Sequence, residues 1–218
     1  MKKGELTRVA IIDAALGISS RDGLEGITIG LLAETLGMSK SGVFAHFGSR
    51  EDLQIAVLKA YERRFIDAVL VPNLKEKRGL PRLSAVVNAW LERSAFEAAN
   101  GCIWISGATE YDDRPGAVRE ELVAMVCGWQ REITRAITQA VDAGHFYAHT
   151  DAEQLVSEIY GVILVLHHDG RLLKSPNAQR RARQSLDRLI QSYRPPSKDP
   201  AAVLAAPLVA PLAAMQAA

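Results

Sequence analysis

Between Ser39 and Arg50 the sequence sets two hydroxyls, a lysine, a histidine and an arginine among small residues: Ser39, Lys40, Ser41, Gly42, Ala45, His46 and Arg50. Ser39 can cap a helix beginning at Lys40, because a serine oxygen accepts an orphan backbone N–H. A cation at that position opposes the helix dipole, a small cost that a nearby anion would offset. Backbone N–H groups at a helix start attract phosphate. Arg50 stands in the same relation to the next helix start. The chemistry on offer is therefore contact with anions and with polar edges of a ligand. No nucleophile–base pair, phosphate loop, paired carboxylates or metal-ligand spacing supports catalysis. Taken singly, Lys40 and Arg50 read equally well as solvated charges, and His46 as a surface histidine.

A second group is aromatic. Trp90, Phe96, Trp104, Tyr111, Trp129 and Tyr160 are spread through the middle of the chain, with Met125, Cys102 and Cys127 among them. Large aromatics around a cavity would bind a flat or greasy small molecule; around no cavity they are ordinary core. His167 is a candidate polar group for such a pocket, as are Glu110 and Glu158. His167-His168-Asp169 resembles a metal set, but adjacent helical residues point about 100° apart, so no metal and no cofactor is expected. Two cysteines supply no disulfide framework and are expected to be buried and inert.

These groups need elements to position them. Of the 218 residues 48% are hydrophobic and 23% charged, which supports a packed core and excludes wholesale disorder. No run of about 18 apolar residues predicts a membrane span. Glu5, Arg8 and Asp13 interrupt the apolar run that a leader would need, so a reducing cytoplasmic setting is expected. The apolar spacing is helical almost throughout, predicting an all-α fold of about nine helices. A first helix is expected over 7–21 with a stripe of Val9, Ile12, Leu16 and Ser19. A second, capped by Thr28, should end at Gly37, and a third should run 40–46. A fourth, opened by a Ser49 capping box, should reach 70. The ambiguous run from Cys102 to Tyr111 is read as a buried helix. Further helices are expected to end near 99, 143, 173 and 193, the last starting at Ser175-Pro176. The Ala/Pro-rich segment 195–218 reads as a disordered tail.

Two short helices joined at Gly37 suit either a helical corner in an all-α core or a helix-turn-helix whose second helix enters a DNA major groove, and spacing alone favours the second only modestly. Ile29, Leu32, Ala33 and Leu36 supply the inner face of one helix, Val43 and Phe47 that of the other. This leaves Lys40, Ser41, Ala45 and His46 outward. Residues 1–64 carry nine Lys/Arg against eight Asp/Glu, so binding would depend on placement, with Lys2, Lys3, Lys40 and Arg50 toward DNA.

The stretch from about 7 to 58 resembles the N-terminal domain of tetracycline-repressor-type (TetR family) regulators. The resemblance is carried by Ile11-Ile12-Asp13-Ala14-Ala15, Gly23, Thr28, Leu32-Ala33, Leu36-Gly37-Met38-Ser39-Lys40, His46-Phe47 and Arg50-Glu51-Asp52-Leu53. It implies that Thr28 caps its helix and touches a phosphate, and that Lys40, Ser41 and Gly42 approach bases or backbone. It also implies that Phe44, His46 and Arg50 face phosphates. Phe44 departs from the tyrosine usual there, so a phenolic hydroxyl contact is missing.

The resemblance implies a DNA-binding head over 1–48 followed by a helical ligand-binding and dimerisation domain over 49–194. The expected function is a ligand-responsive transcriptional regulator, a repressor released from a palindromic operator by a small apolar or aromatic effector. The helix from Arg50 would couple pocket to head. Two apolar stripes, Leu155, Ile159, Val162, Ile163 and Leu166 in one helix and Leu186, Leu189 and Ile190 in the next, are expected to form a homodimer interface, with Arg180, Arg181, Arg183 and Arg188 as a solvated rim. The alternative is an all-α small-molecule carrier or enzyme that binds no DNA.

Overall fold

Caps and breakers set the helix boundaries in the computed structural model, which describes residues 3–196. Nine α-helices and one 3-10 turn are present among the described residues, and no strand. The helices are α1 Lys3–Asp22, α2 Ile29–Leu36, α3 Lys40–Phe44, α4 Arg50–Val69 and α5 Leu80–Asn100. Then come α6 Ile103–Tyr111, α7 Ala117–Asp142, α8 Ala152–Arg171 and α9 Ala178–Ser192. The all-α expectation holds, including the helical reading of the run after Cys102. Lys2, the side chain of Lys3 and the tail beyond Pro196 lie outside the described residues.

Three of the four helices from α1 to α4 begin on a serine or threonine cap. Thr28 Oγ1 accepts from Leu31 N at 3.1 Å, Ser39 Oγ from Gly42 N at 3.0 Å and Ser49 Oγ from Asp52 N at 2.9 Å. Each such cap stabilises by about 1 kcal/mol. Gly37 closes α2 in left-handed backbone at φ 62, a conformation glycine enters at no steric cost. The bend sends α3 across α2.

Some boundaries moved. α1 starts four residues earlier than expected, and α3 stops at Phe44, with His46 N and Phe47 N bonded to the carbonyls of Val43 and Phe44. α9 starts at Ala178 rather than Ser175, with Asn177 at its cap position. The expected α1 stripe is buried except for Val9. Val9 is 45% exposed, while Ile11, Ile12, Ala15, Leu16, Ile18 and Ser19 are buried. α1 packs against α2, α4 and α6 at once, which takes a wider face than one stripe supplies.

One contiguous buried cluster runs from Ile11 through Val43, Leu53 and Phe65 to Ile190. α4 belongs to both ends of it. Leu53 and Val57 pack in the same cluster as the residues of the first three helices, and Tyr61, Phe65 and Val69 lie further along toward the remaining helices. The heaviest packing is α8 against α9 and against α5.

That packing corrects the expected dimer face. Leu155 and Ile159 have 0% exposure, Ile163 and Leu166 2%, and Leu186 and Ile190 4%. They are the intramolecular core of α5, α8 and α9. Only Val162 and Leu189 of that set are half-buried at the surface. The rim reading fails for Arg183 too, since it pairs with Glu92 of α5 and is largely covered.

Candidate nucleic-acid interface and ligand core

α2 and α3 present one outward face. Thr28, Ser39, Lys40, Ser41 and Phe44 are exposed, and Gly42 and His46 half-exposed. Leu32, Ala33, Val43 and Phe47 hold the two helices to the core beneath. The Lys40 chain leans back across the start of α2. A Cβ built on Gly30 would lie 3.6 Å from Lys40 Cε, 3.9 Å from Nζ and 4.0 Å from Thr28 Oγ1. A side chain at position 30 would lie in ordinary van der Waals contact with the lysine. An ammonium and the N-terminal N–H groups of an eight-residue helix thus share one spot, which suits a phosphate. Ser41 Oγ meets Ser39 Oγ at 3.2 Å. Phe44 is 51% exposed, an apolar ring where the resemblance has a phenol.

Arg50 is placed differently from the expectation. Its guanidinium turns inward, donating to Ile27 O at 2.8 Å and pairing with Glu25 at 3.2 Å. These partners occupy it within the chain, and it braces the α1–α2 loop. Arg8, which carried no signal in the sequence, lies over the Phe47 ring at 4.9 Å.

The same loop is the joint between head and body. Glu110, near the end of α6, accepts from Leu24 N at 3.2 Å and Glu25 N at 3.0 Å. Gln54 Nε2 donates to Leu24 O at 2.9 Å. The Tyr111 hydroxyl donates to Glu25, and Arg114 stands 3.6 Å from the same carboxylate. That hydrogen bond holds the Glu25 carboxyl below its ordinary value; burial opposes it and the Arg50 charge reinforces it. Burial pushes the Tyr111 hydroxyl up to about 12, with the Glu25 bond adding to it. The approach is close: a Cβ on Gly23 would overlap the Glu110 carboxylate, and one on Gly101 would fall 1.6 Å from Ser20 O. Glu110 was expected as a pocket residue. Its partners are 85 and 86 positions away in sequence, so no local pattern could have revealed them.

The ligand candidates divide. Trp90, Trp104, Trp129 and Tyr160 do come together, with Phe65 and Tyr61. Phe65 meets Trp104 at 4.9 Å and Trp129 at 4.8 Å, both edge to face. Trp90 meets Trp129 at 5.3 Å and Tyr160 at 5.5 Å. Met125 is buried beside them. Phe96 is not part of this set: at 61% exposure it faces solvent, because α5 turns its Trp90–Glu97 face inward. Tyr111 belongs to the head joint and also edges a separate cleft of ≈ 240 Å³ between α6 and α7. His167 is buried on α8, its Nε2 without a partner. Burial lowers its pKa, helped by Arg171 and His168.

Glu97 was not anticipated. It is 4% exposed in the aromatic cluster, accepts from the Tyr61 hydroxyl at 2.9 Å and pairs with Arg93 at 2.6 Å. Burial raises the Tyr61 hydroxyl well above its ordinary value, and the neighbouring Cys102 and Glu97 add to the effect. Cys102 is buried as expected, and burial is the chief cause that pushes its thiol up to about 12; Cys127, expected to be buried too, is only half-buried. No group of three metal-ligating side chains occurs among the described residues.

A capped helix pair with an exposed face of hydroxyls and one lysine, mounted on a helical body with an aromatic core, has the form of a helix-turn-helix DNA-binding protein. Residues 11–57 match the family described as bacterial regulatory proteins, tetR family, and residues 79–186 the tetracyclin repressor-like C-terminal domain. The chain belongs to the TetR family of transcriptional regulators, and it is a regulator rather than an enzyme. It is 25% identical to the HTH-type transcriptional regulator SrpR of Pseudomonas putida over 81% of each chain. It is 27% identical to BetI of Rhizobium meliloti over 53% of this chain, a match that spans 57% of that relative. Among solved structures, a TetR family regulator from Cytophaga hutchinsonii superposes with TM-score 0.77 at 19% identity, covering 90% of this chain and 99% of that one. A regulator from Saccharomonospora viridis in complex with choline superposes with TM-score 0.73 at 21% identity, covering 86% and 96%. No helix among the described residues is long and apolar enough to cross a membrane.

Proposed function

We propose that the protein is a homodimeric repressor that leaves a palindromic operator when a small effector binds its body. The observation that carries this is the α2–α3 face: Lys40 over the start of α2 beside Thr28, with Ser41 and Phe44 exposed and Gly42 and His46 half-exposed on the same helix pair, anchored from beneath. Lys40 with Thr28 would take a backbone phosphate. Ser41, Gly42 and Ala45 would lie against base edges, and Phe44 or Ala45 would touch thymine methyl groups. Arg50 is left out of that list as a positioning residue for the loop before α2.

The dimer face fits the groove between α8 and α9. Val162, Val165 and Leu189 line it with Glu158 and Arg181, and Val165 is 59% exposed. A second copy would cover these residues and bring two α3 helices to one side of a duplex, about 34–36 Å apart or a multiple of that. The Glu110–loop joint, together with α4, would carry a change in the body to α2. By linkage, an effector that weakens operator binding is itself bound more weakly by the operator complex, by the same factor.

The test is a gel shift on the DNA upstream of the protein's own gene. The wild type should shift it at low salt and lose affinity steeply as salt rises. Lys40→Ala should weaken binding about equally across DNA sequences and lower the salt slope by about one. No shift at low salt, or an unaltered Lys40→Ala variant, would remove the interface proposed here.

A further inference from the structure

Between α1 and α4 lies a groove that neither the DNA-facing surface nor the aromatic core uses. We infer that this groove binds an organic polyphosphate of nucleotide size. Arg8, Lys59, Arg63 and Arg64 take the phosphates, and an apolar floor takes the rest of the ligand. The inference goes beyond the operator and effector reading above and does not depend on it.

The groove is built from one face of each helix. Arg8, Val9, Ile12 and Asp13 on α1 are related by three- and four-residue steps, as are Ala56, Lys59, Ala60, Arg63 and Arg64 on α4. That spacing puts side chains on one side of a helix. Ala56 and Ala60 are half-buried, and their short side chains leave the gap between the helices open. Val9 is 45% exposed and Ile12 is buried, so the floor is apolar and one of its side chains faces water. The space amounts to ≈ 340 Å³, in the size range of small-molecule sites.

The rim is cationic. Residues 1–64 hold nine Lys/Arg against eight Asp/Glu, yet four of those nine cations line this groove against a single carboxylate, Asp13. All four are exposed. Asp13 pairs with Arg64, and Lys59 stands 3.4 Å from Glu121 of α7. Arg8 engages the Phe47 ring through its flat face. Arg63 makes no hydrogen bond or ion pair among the described residues.

The ligand class follows from this balance. The surplus of positive charge rules against a cation. Guanidinium groups pair phosphate oxygens two at a time. A single carboxylate would engage one such fork, whereas a chain of phosphates engages several. A bare anion would leave Val9 and the alanines uncovered, and a flat base laid over them buries apolar surface. The occupant would bridge α1 and α4 beside Phe47, which holds α3 to the core.

Calorimetry on the full-length protein, without DNA and without magnesium, tests the site with adenosine 5′-triphosphate, tripolyphosphate and adenosine. The nucleotide should bind saturably and about tenfold more tightly than tripolyphosphate. Adenosine should give no measurable binding. Arg63→Ala removes a side chain without an internal partner, so it should fold as the wild type does and weaken the nucleotide about tenfold. Asp13→Asn should tighten nucleotide binding severalfold, because it removes the opposing charge and releases Arg64. Arg180→Ala on α9 controls for bulk charge and should leave the nucleotide affinity unchanged. Equal affinity for tripolyphosphate or adenosine, equal losses in Arg63→Ala and Arg180→Ala, or weaker binding by Asp13→Asn would overturn the inference. So would an Arg63→Ala protein that keeps its nucleotide affinity and loses operator affinity, which would assign the groove to the DNA backbone.

Discussion

The head and the body of this molecule are stabilised by different means. In the head, three short-range caps fix α2, α3 and the start of α4, and the exposed face carries charge and hydroxyls. In the body, caps are sparser: α5, α6, α7 and α9 have no side-chain cap hydrogen bond. Their order comes from interlocked aromatic and aliphatic side chains. A surface that meets DNA has to be shaped by local backbone geometry, because its side chains face water before binding. A chamber for an effector is shaped by packing, and small changes in packing alter it. The two meet at Glu110, Gln54 and Glu25, where side chains grip a loop rather than fill a core.

Breaking the body's packing should give the largest effect. Phe65 is 1% exposed between Trp104 and Trp129, so Phe65→Ala should cost about 3–5 kcal/mol of stability by urea unfolding. The head is held by its own caps, so operator affinity measured well below the melting transition should change little. Next comes the joint. Glu110→Ala leaves the N–H groups of Leu24 and Glu25 without their carboxylate, a loss of about 1.5–3 kcal/mol. Its signature should be functional as well: effector would release operator less effectively, measured by anisotropy with and without ligand. An unchanged release would move the coupling wholly to α4.

A cap mutation should act the other way round from Phe65→Ala. Ser39→Ala should lower global stability by only about 1 kcal/mol, yet it should weaken operator binding visibly, since Ser39 orders the first turn of α3. The smallest effect is a pH dependence. The Glu25 carboxyl is held below its ordinary value of 4.5, so its contribution is complete above that pH and is lost as pH falls through the depressed folded value. The stability difference between wild type and Glu25→Gln should be present at neutral pH and close in acid, by thermal melts across that range. A difference that grew as pH fell would contradict the Glu25–Tyr111–Arg50 network.

Much of the head was legible because its determinants are local. Thr28, Ser39 and Ser49 each bond an N–H three residues away, and Gly37 ends a helix by its own backbone freedom. Such features appear in any ten-residue window. The outward placement of Lys40, Ser41 and Phe44 follows once Val43 and Phe47 are assigned inward. Arg50 shows the limit: its position at a helix start was readable, but its direction was not, since Glu25 and Ile27 draw it inward from 25 and 23 residues away.

In the body the spacing of apolar residues is enough to read long amphipathic helices and to count their aromatics as apolar mass. It could not decide between inner and outer use of that mass. The stripes of α8 and α9 are what either a dimer face or a core would require, and α5 makes them core. Phe96 and Trp90 differ in fate only through the rotation of α5 against α7 and α8. Glu97 acquires its Tyr61 and Cys102 neighbours, and Glu110 its loop, through contacts between separate helices. Periodicity fixes which residues share a helical face, because that depends on bonds along one chain segment. What a face meets depends on how all the helices close together, which involves residues far apart in the chain.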